Sequence, residues 1–408
     1  MLEIDVRRLW ERHEAMARFG ATPRGGVNRQ ALSHEDFSAR RQLIAWGESY
    51  GLRAAGDAAG NLFFRLTGRD DDAPPVLTGS HLDSQPTGGK YDGTFGVLAG
   101  LEALGAIRAA NIVPRHPIEL VAWMNEEGSR FAPGMMGSEA FAGIRSLEDI
   151  RARTDCDGIS VGAALDELAA IFPDLAQRPL GFPVKAFIEA HIEQGPELEA
   201  CAKQIGVVSG IQGKKTYRVT LHGTDAHAGT TRRAERRDAL RTAVTMIEHL
   251  YANVDDDADV VRFTVGRLVV EPNAPSVVPG RAEFSIDLRH PDAATLHVFG
   301  KRVVEICRAH AAPCTINVEQ LVDAEPLVFP DGIRAVVRAA AERRRLSWMA
   351  LPSAAGHDAR NLHYVCPAGM IFIPCARGVS HNEAESVTAD DMAAGTGLLA
   401  ETLVALAG

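Results

Sequence analysis

Three short apolar runs, at 75–79, 117–124 and 370–374, constrain this chain most, because each ends abruptly in polar or glycine-rich sequence. They read as buried strands. Helical stretches from Thr94 to about 110 and from about 388 to 406 alternate with them. Strands separated by helices predict a largely parallel sheet covered on both faces, an α/β architecture. The middle of the chain follows another order. A strand at 214–222 is followed by a helix at 236–253 and by strands at 260–271 and 281–289. A helix at 292–311 and a strand at 314–320 complete the pattern. This β-α-β-β-α-β order is the split βαβ signature of a ferredoxin-like α+β domain. The expected organisation is one α/β domain built from 1–208 and 322–408, with a second domain, 209–321, inserted between its parts.

A length of 408 residues exceeds one ordinary domain, in keeping with that division. The net charge of −10 argues against a general nucleic-acid or anionic-membrane partner, since nothing would neutralise the phosphates. No apolar run approaches the ~20 residues that span a bilayer. Six scattered cysteines form no CxxC pair and follow no secretory signal, so free thiols and a cytoplasmic location are expected. The acidic runs at Asp70–Asp72 and Asp255–Asp257 read as solvated turns. Near the start, Leu2, Val6, Leu9, Trp10 and His13 recur at helical spacing.

Candidate metal ligands fall just past the ends of the three apolar strands. His81 and Asp83 follow the first, Glu126 and Glu127 the second, and His381 the third. The carboxyl ends of strands build the site in open α/β sheets. Asp83 is placed to accept the second ring N–H of His81, the usual support of a metal-bound imidazole. Asp92 precedes Gly93 at a helix start; it is either an N-cap or a carboxylate whose two oxygens bridge two cations. Adjacent glutamates after a buried strand are costly without a cation or a shared proton. One as ligand and one as base beside an acidified water would satisfy both demands.

Taken together, these stretches resemble the di-metal aminoacylase/carboxypeptidase superfamily, and within it the N-carbamoyl-amino-acid hydrolases, β-ureidopropionase and allantoate amidohydrolase. The likeness rests on Thr78 to Asp83, Gly89 to Gly93, Asn125 to Phe131, Ala190 to Gly195, Asp225 to Thr231, Gly356 to Ala359 and Ser380 to Asn382. It implies a di-metal exopeptidase-like catalytic domain with an inserted lid and dimerisation domain. One metal would be held by His81, Asp92 and His191, the other by Asp92, Glu127 and His381, with Asp92 bridging. Glu126 would be general base and then acid. Zinc is the expected metal; manganese, nickel or cobalt use the same nitrogen and oxygen ligands. His191 marks the carbamoyl hydrolases, since many peptidases of the superfamily carry a carboxylate there.

The resemblance also implies a small carboxylate-bearing substrate gripped by Gln194, Asn273, Arg289 and Gly356. His227 would stabilise an oxyanion. Arg289 is either a bidentate carboxylate clamp or an interdomain salt-bridge residue. The implied assembly is a homodimer formed through the inserted domain. Two departures from the family pattern lie near expected substrate contacts: Arg232 after Thr230-Thr231, where proline is usual, and Ala354 after Ser353, where glycine is usual. The Gly158 to Gly162 stretch fits GxSxG, but no buried strand precedes it, so it lacks the context of a nucleophile elbow. Gly210 to Lys214 lacks the first glycine of a P-loop.

Overall fold

The computed structural model describes residues 2–256 and 260–408; Asp257, the last residue of the second acidic run, lies outside them. The chain divides into two units, Met1–Ser209 with Phe329–Gly408, and Gly210–Val328.

The larger unit is built on a mixed sheet. Its centre is four parallel strands in the order Ala368–Ile373, Ala186–Ile192, Val76–His81 and Ile118–Trp123. Every residue of these four is buried. That is why they read as continuous apolar runs rather than as alternating ones. The sheet is less parallel than the sequence suggests. Ile205–Ile211 flanks Ala368–Ile373 antiparallel, and Leu62–Leu66 flanks Ile118–Trp123 antiparallel, paired in turn with Arg53–Gly56. Of these antiparallel pairs, Arg53–Gly56 with Leu62–Leu66 is joined by a short loop, whereas the neighbouring parallel strands need long crossovers. The helices Thr94–Ala109, Ala389–Ala407 and Val6–Met16 share one apolar cluster with this sheet.

The second unit is a four-stranded antiparallel sheet in the order Arg262–Glu271, Arg281–His290, Gly213–His222, Thr315–Ala324. The helices Ala239–Asn253 and Ala293–Ala309 share a core with it, formed by Tyr217, Val219, Phe284, Ile286, Met246 and Phe299 among others. This is the ferredoxin-like arrangement. The first helix begins at Ala239 rather than at 236. Asp238 caps it by accepting the Arg241 N–H, and Arg233–Glu235 form a separate 3₁₀ turn. The last strand runs to Ala324, past the expected end at 320.

All six cysteines are free thiols, four of them buried. Ser160, the serine of the GxSxG match, caps the helix Val161–Ile171 by accepting the Ala163 N–H at 3.1 Å. Asp71 is more than a solvated turn residue, since Arg53 at 2.8 Å and Arg65 at 3.2 Å pair with it. Among the described residues no helix is long and apolar enough to cross a membrane.

His13 is fully enclosed on the Val6–Met16 helix, with Nδ1 on the Leu9 carbonyl at 2.9 Å and its ring against Tyr91 and Phe95. Burial depresses its pKa to about 4, from an ordinary 6.5. Between those values the unfolded chain binds the proton and the folded chain does not. Stability is therefore fully present above pH 6.5 and falls as pH drops towards 4. Replacing His13 with Leu should flatten the stability-versus-pH slope in this window by up to ~1.4 kcal/mol per pH unit. Urea unfolding of both proteins between pH 4.5 and 7 reads this directly, and parallel slopes would sink the assignment.

Candidate metal centre

The ends of the four central strands carry the site. His81 is the last residue of Val76–His81, His191 lies near the end of Ala186–Ile192, and Glu126 and Glu127 follow Ile118–Trp123. His381 follows Ala368–Ile373 across a loop. The strand holding His191 is not among the three apolar runs that mark strands in the sequence.

Asp92 sits at the centre. Its Oδ1 lies 3.3 Å from His191 Nε2 and 3.9 Å from His81 Nε2, while its Oδ2 lies 3.2 Å from His381 Nε2. His381 Nε2 is also 3.4 Å from Glu127 Oε2. The two oxygens of one carboxylate thus face two different groups. Potential ligand atoms of His81, Asp92 and His191 lie within 4.8 Å of one another, as do those of Asp92, Glu127 and His381. Asp92 is not a helix cap: the cap position is Gly93, and the carboxylate is left for the cluster.

The histidines are set up as ligands by the backbone. His81 Nδ1 meets the Asp83 carbonyl at 2.9 Å, and His191 Nδ1 meets the Ile192 carbonyl at 2.9 Å. A carbonyl accepts only, so Nδ1 carries the hydrogen in both rings. In the neutral imidazole, Nε2 then presents its lone pair towards Asp92. The Asp83 carboxylate is not the partner of His81 that the sequence suggests. The Asp83 carboxylate is 3.9 Å from Nδ1 and instead accepts the main-chain N–H groups of Glu126, at 3.2 Å, and Glu127, at 3.1 Å. The tight turn after the strand brings the Asp83 carbonyl to the ring and sends its side chain to the next loop. Asp83 therefore fixes the paired glutamates rather than the histidine.

That loop is pinned from its other side by Asn125, whose amide donates to the carbonyls of Phe131 at 2.8 Å and Pro133 at 3.2 Å. Asn125, Gln194 and His381 all adopt positive φ, a conformation that side chains resist. Gln194 Nε2 donates to Asp92 Oδ2 and to Ser380 Oγ, both at 3.0 Å. Gly356 is exposed, on the loop that precedes buried His357.

Electrostatically the centre has too many carboxylates. Burial, and then the charges of Asp358, Glu127, Asp83 and Asp92, hold Glu126 well above the usual carboxylate range. Burial and Asp92 push Glu127 up to about 8. Burial lowers His81 to about 4. His191 resists burial through its bond to Asp92 and rises to about 9, and His381 rises to about 9 chiefly by the same bond. Buried carboxylates that repel one another beside three imidazoles are the environment a pair of divalent cations would relieve. The donor set of nitrogen and carboxylate oxygen fits such ions.

Several residues of this site were not legible in the sequence. Glu385 Oε1 accepts the N–H groups of Tyr91 at 2.8 Å and Asp92 at 3.0 Å, and its Oε2 accepts the Ser380 hydroxyl at 3.1 Å. Gln85 donates to Glu127 Oε2 at 2.8 Å. Glu189 accepts from Ser80 at 2.7 Å and from the Ala359 N–H at 2.9 Å. His357 packs its ring against His191, with centroids 4.5 Å apart. Only the unusual run Ser-His-Asn-Glu-Ala-Glu around His381 hints at Glu385.

The remaining expected residues belong to the second unit. His227 pairs with Val277 in a two-stranded ribbon, and its Nδ1 accepts the N–H groups of Gly229 at 3.0 Å and Thr230 at 3.1 Å. Those two donors place the ring hydrogen on Nε2. Asn273 is exposed on the loop after Arg262–Glu271. Arg289 is paired with Asp287 on its own strand, Nε to Oδ1 at 2.7 Å and Nη2 to Oδ2 at 3.3 Å.

The model of the family described as peptidase family M20/M25/M40 matches residues 77–405. The chain belongs to this family. Among curated relatives, an N-carbamoyl-L-amino-acid amidohydrolase of Rhizobium meliloti is 40% identical, covering 97% of this chain and 95% of that one. An allantoate amidohydrolase of Bacillus subtilis is 34% identical, covering 97% and 96%. A crystal structure of an amidase of the hydantoinase/carbamoylase family from Burkholderia vietnamiensis superposes with a TM-score of 0.90 at 42% identity, covering 99% of this chain and 98% of that one.

Two substitutions test how this family member holds its centre. Gly93 has φ +62°, and a Cβ there would stand 2.3 Å from His81 Cε1. Gly93→Ala should displace the imidazole and weaken divalent-metal affinity by roughly 10- to 100-fold, read by competition with a chelating dye. Asp83→Ala should lower kcat by roughly 10- to 100-fold by freeing the glutamate loop, with Asp83→Asn milder because one acceptor remains. Equal effects of Ala and Asn would argue for a charge role instead.

Proposed function

We propose that the chain is a metal-dependent amidohydrolase that cleaves the carbamoyl C–N bond of N-carbamoyl amino acids, of the L-α or β type. A ureido compound and water give the amino acid, carbon dioxide and ammonia. The observation that carries this reading is Asp92, each oxygen turned to a different histidine-carboxylate group, with Glu126 Oε2 3.6 Å from His81 Nε2. The end-to-end likeness to an N-carbamoyl-L-amino-acid amidohydrolase supports the bond cleaved.

Two divalent cations, zinc or alternatively manganese, nickel or cobalt, would be held by His81, Asp92 and His191 and by Asp92, Glu127 and His381. They would supply Lewis acidity and lower the pKa of a water. Glu126 takes the proton of the attacking water and returns it to the leaving nitrogen; its buried, carboxylate-rich setting gives it the required proton affinity. His227 offers Nε2–H to the developing oxyanion, in the tautomer that Gly229 and Thr230 favour. Gln194 orients Asp92 and borders the substrate, together with the backbone at Gly356. Arg289 and Asn273 take the substrate carboxylate, Arg289 by exchanging Asp287 for it. The same reading includes a homodimer formed through the second unit, and a cytoplasmic enzyme.

A second reading, hydrolysis of allantoate, is favoured by the relative of that name. Ammonia release from N-carbamoyl-L-amino acids, N-carbamoyl-β-alanine and allantoate, with a dipeptide control, separates the two. Turnover of the dipeptide alone would overturn both. Glu126→Gln should cut kcat by at least ~100-fold with metal content unchanged. Near-normal turnover in that variant removes Glu126 from the base role.

A further inference from the structure

A cavity in the second unit, of about 680 Å³, has a composition at odds with the chain as a whole. It lies between the Arg233–Glu235 turn, the start of the Ala239–Asn253 helix and the segment from Ala309 to Pro313. Arg233, Arg236, Arg241 and His310 line it, against one carboxylate, Asp238. That carboxylate is already used as the helix cap, accepting the Arg241 N–H at 2.9 Å. The stretch 232–241 holds five arginines and only two acidic residues, in a chain whose net charge is −10.

The cationic groups are of two kinds. Arg236 is fixed by the carbonyls of Ala228 at 2.6 Å and Thr231 at 3.0 Å, and Arg237 by the carbonyl of Pro313 at 3.1 Å. Carbonyl partners hold a guanidinium in place without cancelling its charge. Arg233 and Arg241, by contrast, make no side-chain hydrogen bond or ion pair among the described residues, and both are exposed at the cavity. His310 is held against His249 by ring stacking, with centroids 3.7 Å apart and planes within 15°. Arg241 also stands in the first turn of its helix, where the helix dipole disfavours a cation. Like charges converging on one concavity repel one another unless an anion sits among them.

We propose that this cavity binds a small, multiply charged anion of the diphosphate class, free or as part of a nucleotide. Guanidinium groups pair phosphate oxygens two at a time, and the exposed Arg233 and Arg241 are available to do so. A cavity of this size suits a compact ligand. The acidic remainder of the chain disfavours an extended polyanion such as nucleic acid.

The test is calorimetric titration of the full-length, metal-loaded protein with pyrophosphate and with ADP at low ionic strength. Saturable binding is expected, weakened at least tenfold by the double variant R233A/R241A. R233K/R241K should retain most of it, and R338A, on an exposed helix of the larger unit, should retain all of it. Similar affinity for ADP and pyrophosphate assigns recognition to the diphosphate, and tighter ADP binding assigns it to a nucleotide. Three results overturn the proposal: no saturable binding, binding that survives R233A/R241A (its loss in H81A would then assign it to the metal centre), or tighter binding of a short oligonucleotide than of pyrophosphate through the same arginines.

Discussion

The two oxygens of Asp92 are the pivot of the larger unit. One points to His81 and His191, the other to His381, and three separate stretches of chain must close on this single side chain. Such convergence requires a rigid base. Four buried parallel strands supply it, because their ends sit side by side at fixed spacing. Gly93, next to Asp92, leaves room for the His81 ring, which any side chain there would strike.

Around Asp92 the backbone does much of the orienting. Carbonyls of Asp83 and Ile192 set the tautomers of two imidazoles, and amides of Glu126 and Glu127 are gathered by the Asp83 carboxylate. Glu385 does the same for the amides of Tyr91 and Asp92. A buried carboxylate that accepts two N–H groups recovers part of its desolvation cost. Asp83 still rises to about 7 and Glu385 to about 7, with burial the leading cause for each. The fold thus concentrates negative charge where divalent cations would be most strongly held.

The second unit uses histidine and arginine in another way. Two amides fix the tautomer of His227, and Arg236 ties the carbonyls of the loop just beyond it. The same arginine lines the cationic cavity, so the loop that follows His227 and the cavity share one side chain. Arg232, which departs from the family pattern, stands directly before Arg233, one of the two cavity guanidinium groups without a side-chain partner among the described residues.

The amino-acid sequence by itself marked the two-unit architecture, and its resemblance to a known family supplied the candidate ligands. Apolar runs of strand length mark the sheet, alternation and helical spacing mark the second unit, and chemistry-bearing residues just past strand ends mark the site. These signals are local, so a linear reading reaches them. What Asp83 does was decided by tertiary structure: its carbonyl and carboxylate turn to different partners, and sequence distance cannot separate the two. The supporting roles of Glu385, Gln85 and Glu189 depend on contacts between residues far apart in the chain. The antiparallel flanks of the sheet, the strand bearing His191 and the unbalanced charge around Arg233 and Arg241 likewise follow from packing. Burial and pairing are properties of the folded neighbourhood, and no residue carries them alone.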